Sequence, residues 1–238
     1  LDGMVQLTSG DEFVYHEMLA QVPLHTHPNP RHVLIIGGGD GGTAREVLRH
    51  PQVENVTLVE IDSRVVDGSK HFLPEVASSF DDSRLEVCFE DGVAYLMNKE
   101  GAYDVILIDA PEPIGQAERL FSIDFYQGIS SALREDGIFA AQTESPFVNH
   151  ELISRVYCDI NSIFPITRLY LAPVPTYPSG SWSFTIGSKQ YDPLLRTDDR
   201  GLAGLLRYYT ADVHQAAFQL PNFVREILCK EVPICENR

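Results

Sequence analysis

Residues 33–48 read VLIIGGGDGGTAREVL, and this stretch decides the fold of the chain. An apolar run, a glycine-rich turn and a helix-forming segment follow one another, which is the order of strand, tight turn and helix start in nucleotide-binding α/β units. Gly37, Gly39 and Gly42 fit the spacing G-x-G-x-x-G. The spacing alone is a weak signal, but in this context it predicts a ligand at the carboxyl end of the first strand.

Asp40 lies inside the glycine loop and changes what the loop can bind. Loops of this kind bind pyrophosphate through backbone N–H groups and the positive end of the following helix, and a carboxylate opposes an anion there. At ~4 Å, two unit charges interact by about 4 kcal/mol at an effective dielectric constant near 20, repulsive for a phosphate and attractive for an amine. We therefore expect the loop to bind a cation.

The alternation of strand and helix continues beyond the glycine loop. We predict parallel strands at residues 33–36, 56–61, 85–89, 105–108 and 138–141, with helices between them. Such alternation predicts an α/β, Rossmann-like, doubly wound sheet. A helix at 150–163 precedes two strand-like runs, 167–172 and 182–186, whose short connection requires an antiparallel pair. The sheet is therefore expected to be mostly parallel with an antiparallel C-terminal strand.

Residues 1–31 precede this sheet and follow a different pattern. They predict a short N-terminal β segment, a helix and a breaker at 27–30. We predict two parts: 1–31 as the remnant of an N-terminal β region with an entry helix, and 32–238 as the catalytic domain with a C-terminal helical cover. The cover includes a final helix at 220–229. Because the chain begins inside an apparent β segment, we expect further residues before Leu1.

The composition excludes several classes of partner. The chain has 34 acidic and 18 basic residues and a net charge of -16, which disfavours nucleic acid because phosphates are bound by Lys and Arg. No apolar stretch approaches the roughly 18 residues of a membrane span, and no signal segment is evident, so we expect no membrane partner and a cytoplasmic protein. The four cysteines lack C-x-x-C spacing, and His25 and His27 lack matching ligands. We therefore expect no metal and no prosthetic group.

Acidic side chains follow the first four predicted strands. They are Asp40, Glu60, Asp91 and Asp109. In a doubly wound sheet, ligands bind at the carboxyl ends of the strands near the switch in strand order, so these acids should converge on one cleft. Buried carboxylates need hydroxyl, amide or cationic partners, which a polar, positively charged ligand would supply.

Two of these acids indicate a nucleoside. Glu60 lies 18 residues after Gly42, close to the spacing at which an acidic side chain accepts hydrogen bonds from a ribose diol. Asp91, followed by Gly92, can accept from an adenine amino group. Capping of the next helix is the alternative for Glu60, and an ordinary turn is the alternative for the Asp91-Gly92 pair.

We expect the loop after the fourth strand to carry the chemistry. Residues 109–115 read DAPEPIG and place two carboxylates, Asp109 and Glu112, on a proline-stiffened loop. We predict that this pair recognises an amine and that a carboxylate there removes its proton. A turn with exposed acids is the alternative. Polar groups on other loops that can complete the pocket are Gln6, Tyr15, Gln142 and Tyr177.

Together these motifs resemble the polyamine aminopropyltransferase family, which includes spermidine synthase. The matching stretches are LDGMVQ at 1–6, DEFVYHEM at 11–18, the glycine loop, VEID at 59–62, DG at 91–92, DAPEPIG at 109–115, AQT at 141–143 and PTYPSG at 175–180. They span almost the whole chain. The resemblance implies transfer of the aminopropyl group of decarboxylated S-adenosylmethionine to putrescine, giving spermidine and methylthioadenosine. It also implies a homodimer or homotetramer and a methyltransferase-like (class I) sheet.

The resemblance further implies roles for the site residues. The donor would be bound by Gln6, Gly37, Gly39, Asp40, Glu60, Asp91 and Gly92. The acceptor would be bound by Tyr15, His16, Asp109, Glu112, Gln142 and Tyr177. Asp109 would be the catalytic base, while Asp40 and Gln6 would grip the donor amine. The chain departs from the usual family pattern at Ala110, Pro111, Glu112 and Gln116. We expect these departures to affect acceptor size and loop closure.

Three other functions stay open at this stage. A methyltransferase shares the sheet and the cofactor class, but it must tolerate the methionine carboxylate near Asp40. A nicotinamide dehydrogenase shares the glycine motif and the ribose acid, but it needs a loop that accepts pyrophosphate. A polyamine-binding protein without turnover is consistent with the altered loop. The acceptor is also open among putrescine, cadaverine, agmatine and spermidine.

Overall fold

The computed structural model describes residues 3, 5–111, 113, 115–195, 200–202 and 204–228. Its strands are β1 (His32–Gly37), β2 (Asn55–Glu60), β3 (Leu85–Phe89), β4 (Tyr103–Asp109), β5 (Leu133–Gln142), β6 (Ile166–Pro173) and β7 (Ser181–Ser188). Its helices are α1 (Glu12–Thr26), α2 (Gly42–Leu48), α3 (Ser63–Phe72), α4 (Gly92–Leu96), α5 (Ile123–Ala132), α6 (His150–Ile163), α7 (Ala211–Ala217) and α8 (Asn222–Leu228). Short 3-10 helices lie at Ala77–Asp81, Gly115–Phe121 and Pro178–Gly180.

The strands form one sheet in the order β3-β2-β1-β4-β5-β7-β6. Strands β1 to β5 pair in parallel, and β7 is antiparallel to both of its neighbours. The strand order reverses between β1 and β4. These two strands are neighbours, and Gly37 lies opposite Asp109 at their carboxyl ends. Ligands bind at such a switch point in doubly wound sheets. The predicted mostly parallel sheet with an antiparallel C-terminal strand is confirmed.

Strand β1 is covered on both faces. Val33 and Ile35 belong to the apolar cluster that includes residues of α1 and α2, whereas Leu34 and Ile36 belong to the cluster with α5 and α6. All four side chains are at most 2% exposed. A strand buried on both faces reads as a continuous apolar run, which is why residues 33–36 gave a clear signal.

Helix α1 lies inside the structure. All of its residues except Phe13 are buried, and it packs against α2, β4, β5 and β6. The Glu17 carboxylate accepts hydrogen bonds from the backbone N–H groups of Arg207, Tyr208 and Tyr209, at 2.8 Å each. One buried side chain of α1 thereby fixes the C-terminal segment against the body of the fold.

The ends of the chain follow the sequence predictions less closely than the middle. None of residues 5–11 belongs to a strand, and the rest of the predicted β segment, at residues 1, 2 and 4, lies outside the described part. The division of the chain after residue 31 stays a prediction. The predicted final helix corresponds to α8. Among the described residues, no helix is long and apolar enough to cross a bilayer.

Candidate active site

The glycine loop is fastened to the end of β4. The Gly38 N–H donates to the carbonyl oxygen of Asp109 at 2.8 Å. Gly37 has φ +83°, and a Cβ at this position would lie 2.0 Å from the same oxygen. A side chain is excluded both by the backbone angle and by the space. The first glycine of the motif therefore lets the loop approach Asp109.

The Asp109 carboxylate lies at the centre of the site. Its Oδ1 accepts a hydrogen bond from the Tyr15 hydroxyl at 2.8 Å, and its Oδ2 accepts one from the Thr43 hydroxyl at 2.6 Å. Burial raises the pKa of Asp109 and the charge of Asp40 raises it further, against the opposing effects of His16 and the two hydroxyls. A carboxylate with a raised proton affinity is suited to act as a general base.

The Asp40 carboxylate lies beside the buried ring of His16. The Nε2 atom of His16 lies 3.3 Å from Asp40 Oδ1, and its Nδ1 lies 2.5 Å from Glu12 Oε2. Burial alone would lower the pKa of His16, but Asp40 and Glu12 raise it to about 10. Burial alone would raise the pKa of Asp40, but His16 and the Gly42 N–H hold it below its usual value. His16, predicted to bind substrate, is 2% exposed and contacts Asp40.

Glu60 lies at the end of β2, beside the second glycine of the motif. Its Oε1 accepts a hydrogen bond from the Asp62 N–H at 3.0 Å. Its Oε2 lies 2.7 Å from the position that a Cβ of Gly39 would take. Burial raises the pKa of Glu60. The missing side chain of Gly39 thus makes room for Glu60 against the loop.

Asp91 caps the start of α4. Its Oδ1 accepts hydrogen bonds from the N–H groups of Val93 and Ala94 at 2.8 and 3.0 Å, and its Oδ2 accepts one from Arg119 at 3.2 Å. A contact with adenine would have to compete with Arg119. A Cβ at Gly92 would lie 2.4 Å from Ile36 Cγ2, so this glycine allows α4 to pack closely on β1.

A small pocket adjoins Asp109, because Tyr15 and Ala110 are among its lining residues. Its lining residues are Val5, Gln6, Tyr15, Ala110, Pro111, Gln142, Glu144, Tyr177 and Trp182. Tyr15 connects the pocket to the centre of the site, because it lines the pocket and its hydroxyl donates to Asp109. The structure therefore brings most of the predicted acceptor residues together.

The predicted acceptor residues also have partners within the chain. The Gln142 amide donates to the carbonyl oxygen of Ala110 at 3.0 Å, and the Tyr177 hydroxyl donates to the carbonyl oxygen of Gln6 at 2.6 Å. These contacts orient both side chains along the pocket wall. Glu112, the remaining predicted acceptor residue, lies outside the described residues.

Several described residues of the site were given no role by the sequence predictions. They are Glu12, Thr43, Glu144 and Trp182. Glu12 and His16 stand four positions apart on one helix, a spacing that could have revealed the pair. Glu144 has φ +70°, an uncommon angle for a residue other than glycine, and such strain clusters at functional sites. Nothing in the sequence signals that angle.

Within the described part of the chain, two groups of side chains have ligand atoms close enough to suggest a metal ion. Their atoms lie within 4.8 Å of one another in His16, Asp40 and Asp109 and in His27, Asp104 and Asp136. In the first group, both ring nitrogens of His16 face carboxylates, and a doubly protonated ring has no lone pair to offer. In the second, Asp104 already accepts from two backbone N–H groups and from Arg134. Neither group suits a metal ion, and the absence of a catalytic metal stays a prediction.

The chain is similar to proteins of known family and known structure. The protein-family model described as the spermine/spermidine synthase domain matches residues 12–198 of this chain. The chain belongs to the spermine/spermidine synthase family. It is 55% identical over 228 residues to the polyamine aminopropyltransferase of Bacillus subtilis (strain 168), covering 96% of this chain and 83% of that protein. It is also 55% identical to the polyamine aminopropyltransferase of Moorella thermoacetica, covering 96% of this chain and 81% of that protein.

Solved structures of spermidine synthases share the fold. One in complex with the transition-state analogue AdoDATO has a TM-score of 0.93 and 47% identity, covering 96% of this chain and 79% of that chain. The spermidine synthase from Thermotoga maritima has a TM-score of 0.90 and 46% identity, covering 96% and 78%. The family resemblance, the fold and the enzyme class of aminopropyltransferase are confirmed. The methyltransferase and dehydrogenase alternatives are thereby removed.

Proposed function

We propose that this family member transfers the aminopropyl group of decarboxylated S-adenosylmethionine to putrescine, forming spermidine and methylthioadenosine. The observation that supports this best is the position of Asp109 between the acidic glycine loop and the small pocket. Its carboxylate has a raised pKa and contacts Tyr15, which lines that pocket. An acceptor nitrogen in the pocket would therefore meet a base beside the donor.

The glycine-loop side suits a donor with a free amine and no carboxylate. His16 outweighs the effect of burial and holds the pKa of Asp40 below its usual value, so Asp40 is ionised at neutral pH. At ~4 Å an ionised Asp40 would attract an ammonium group and repel a carboxylate by about 4 kcal/mol at an effective dielectric constant near 20. Glu60, beside Gly39, would accept from the ribose diol, and Gln6 would share the donor amine with Asp40.

The pocket suits a short diamine. Glu144 and Tyr177 line it, and the rings of Tyr177 and Trp182 lie 4.5 Å apart between centroids. An ammonium group on such rings gains about 0.5 to 2 kcal/mol. Ala110, one of the positions at which the chain departs from the family pattern, contributes a carbonyl oxygen to Gln142, a contact that any residue can make. The departure at this position is therefore compatible with acceptor binding.

The proposed chemistry is a direct displacement assisted by a base. An alkyl amine titrates near pKa 10.4, so neutralising it at pH 7 costs roughly 3.4 units or about 4.6 kcal/mol. Asp109 takes this proton as the amine nitrogen bonds to the carbon beside the sulfonium and the carbon–sulfur bond breaks. The bonding electrons leave with methylthioadenosine. Tyr15 and Thr43 orient the carboxylate during the transfer.

Release of methylthioadenosine tests the proposal. The protein is incubated with decarboxylated S-adenosylmethionine and with putrescine, spermidine, cadaverine or agmatine offered separately. We expect the highest kcat/KM with putrescine. A higher kcat/KM with another amine would identify that amine, and not putrescine, as the acceptor. Tight donor binding without release for any amine would favour a polyamine-binding protein. Light scattering on the same sample tests the expected homodimer or homotetramer.

Replacement of Asp40 tests the selection of the donor. Asp40→Asn is expected to reduce the preference for decarboxylated over intact S-adenosylmethionine by about tenfold or more, because the charge that opposes the methionine carboxylate is removed. The measurement is the ratio of the two dissociation constants by calorimetry. Asp62→Asn is a matched control, since this exposed acid pairs with Arg64 after the end of β2. An unchanged ratio in Asp40→Asn would exclude Asp40 from this selection.

A further inference from the structure

Four charged side chains lie in a row behind the glycine loop, and the chemistry proposed above uses only the last of them, Asp40. Arg45 Nη2 lies 2.9 Å from Glu12 Oε2, which lies 2.5 Å from His16 Nδ1, and His16 Nε2 lies 3.3 Å from Asp40 Oδ1. Glu12 and His16 are 6% and 2% exposed, whereas Asp40 is 19% exposed. Glu12 is thus two contacts away from the side chain that faces the ligand.

We propose that Glu12 is a positioning residue for the donor: it fixes the His16 ring with both N–H groups donating, and His16 fixes Asp40 for the donor's ammonium group. This inference rests on the proposed function, because it takes Asp40 as the donor contact. Asp40 Oδ1 receives the Gly42 N–H at 2.7 Å as well as His16. The donor would therefore be met by Oδ2, which has no hydrogen-bond partner among the residues that the structure describes.

Two carboxylates are needed to hold the ring in this state. A neutral imidazole donates through one nitrogen only, so a ring between two ionised acids repels one of them unless it carries both protons. Buried inside the protein, an imidazolium facing Asp40 without Glu12 would lose one of the two carboxylates that offset its desolvation. Glu12 supplies that second carboxylate. Burial alone would raise the pKa of Glu12, but His16 and then Arg45 lower it to about 2, so Glu12 is ionised.

Among the residues that the structure describes, charged and titratable groups reach His16 from four elements. The groups that face it are Glu12 and Tyr15 on α1, Asp40 on the glycine loop and Asp109 at the end of β4, with Arg45 of α2 behind Glu12. Since the pKa of His16 lies above its usual value, the ring is charged at neutral pH and loses its proton as the pH rises through about 10. Removal of the charge of Glu12 moves that loss toward neutral pH.

The test combines titration of His16 with donor binding. Glu12→Gln keeps the shape of the side chain and removes its charge, so the pKa of His16 is expected to fall by about one to three units. The dissociation constant for decarboxylated S-adenosylmethionine is then expected to rise about fivefold or more between pH 7 and pH 9, while the parent value changes less than twofold. Imidazole NMR, assigned with His16→Gln, follows the first quantity, and calorimetry follows the second.

Glu46→Gln is the matched control. Glu46 is a buried glutamate that pairs with the same Arg45, at 2.9 Å, and with Arg49, at 2.8 Å. Its replacement leaves the contact between Glu12 and His16 in place. We expect both the titration of His16 and the pH dependence of donor binding to stay near the parent values.

The outcomes separate this inference from the proposed function. If the parent does not bind decarboxylated S-adenosylmethionine, the proposed function fails, and the inference fails with it. If the parent binds but Glu12→Gln binds with the parent's pH dependence, only the inference fails. Should Glu12→Gln not fold, the parent decides: a His16 ring that is neutral at pH 8 overturns the inference, and a ring with both N–H signals at that pH supports it.

Discussion

Asp109→Asn is expected to lower kcat by about a hundredfold to ten-thousandfold, the range typical for loss of a general base. Asparagine keeps the size of the side chain but cannot accept the proton of the amine. The fold should persist, because the hydroxyls of Tyr15 and Thr43 can rotate to suit an amide. Methylthioadenosine release at saturating donor and putrescine measures kcat, and calorimetry checks that donor binding is retained.

The pH profile gives this prediction a second readout. The pKa of Asp109 is raised, and a protonated base is inactive, so kcat/KM of the parent should fall as the pH drops through that pKa. The acid limb should vanish in Asp109→Asn. Asp159→Asn on α6 is a suitable control, because burial also raises the pKa of this acid and no role is proposed for it. A turnover of Asp109→Asn within about threefold of the parent would remove Asp109 from the role of base.

Much of the fold could be predicted because its signals are local. The central strands are buried on both faces and therefore read as apolar runs, and the glycine loop marks the junction with α2. Strand β5 shows where this fails: it begins at Leu133, although residues 134–137 are polar apart from a glycine. Its early start depends on pairing of Leu133 with Tyr103 across a register shift, a tertiary contact that no local pattern reports.

The candidate site residues at the strand ends could be predicted from the sequence, whereas the contacts that the buried helix α1 makes with them could not. Asp40, Glu60 and Asp109 follow from the rule that ligands bind at the carboxyl ends of parallel strands. The contacts of α1 do not follow, because a helix buried on all sides lacks an amphipathic period and its polar side chains have no readable direction. His16 illustrates the difference: the family resemblance named it, but only the structure shows it between Glu12 and Asp40.

Gly42→Ala is expected to lower kcat/KM by about a hundredfold and the free energy of unfolding by about 1 to 3 kcal/mol. A Cβ at this position would lie 2.2 Å from the His16 ring, which cannot retreat because carboxylates hold both of its nitrogens. Displacement of the ring would release Asp40 from the geometry that binds the donor. Methylthioadenosine release measures the first quantity, and chemical unfolding measures the second.

The backbone itself offers no objection to alanine at this position, which makes the prediction sharp. Gly42 is the first residue of α2, without a left-handed φ, and alanine is favoured over glycine by about 1 kcal/mol inside helices. Gly68→Ala in α3 provides the control, since its added Cβ would meet no described atom within 4 Å other than its chain neighbours and the backbone of its own helix; it should leave activity unchanged and stability equal or higher. If Gly42→Ala behaved like Gly68→Ala, the His16 ring would have room to move, and the third glycine of the motif would serve only the turn. If it fails as expected, that glycine is there to admit the imidazole that orients Asp40.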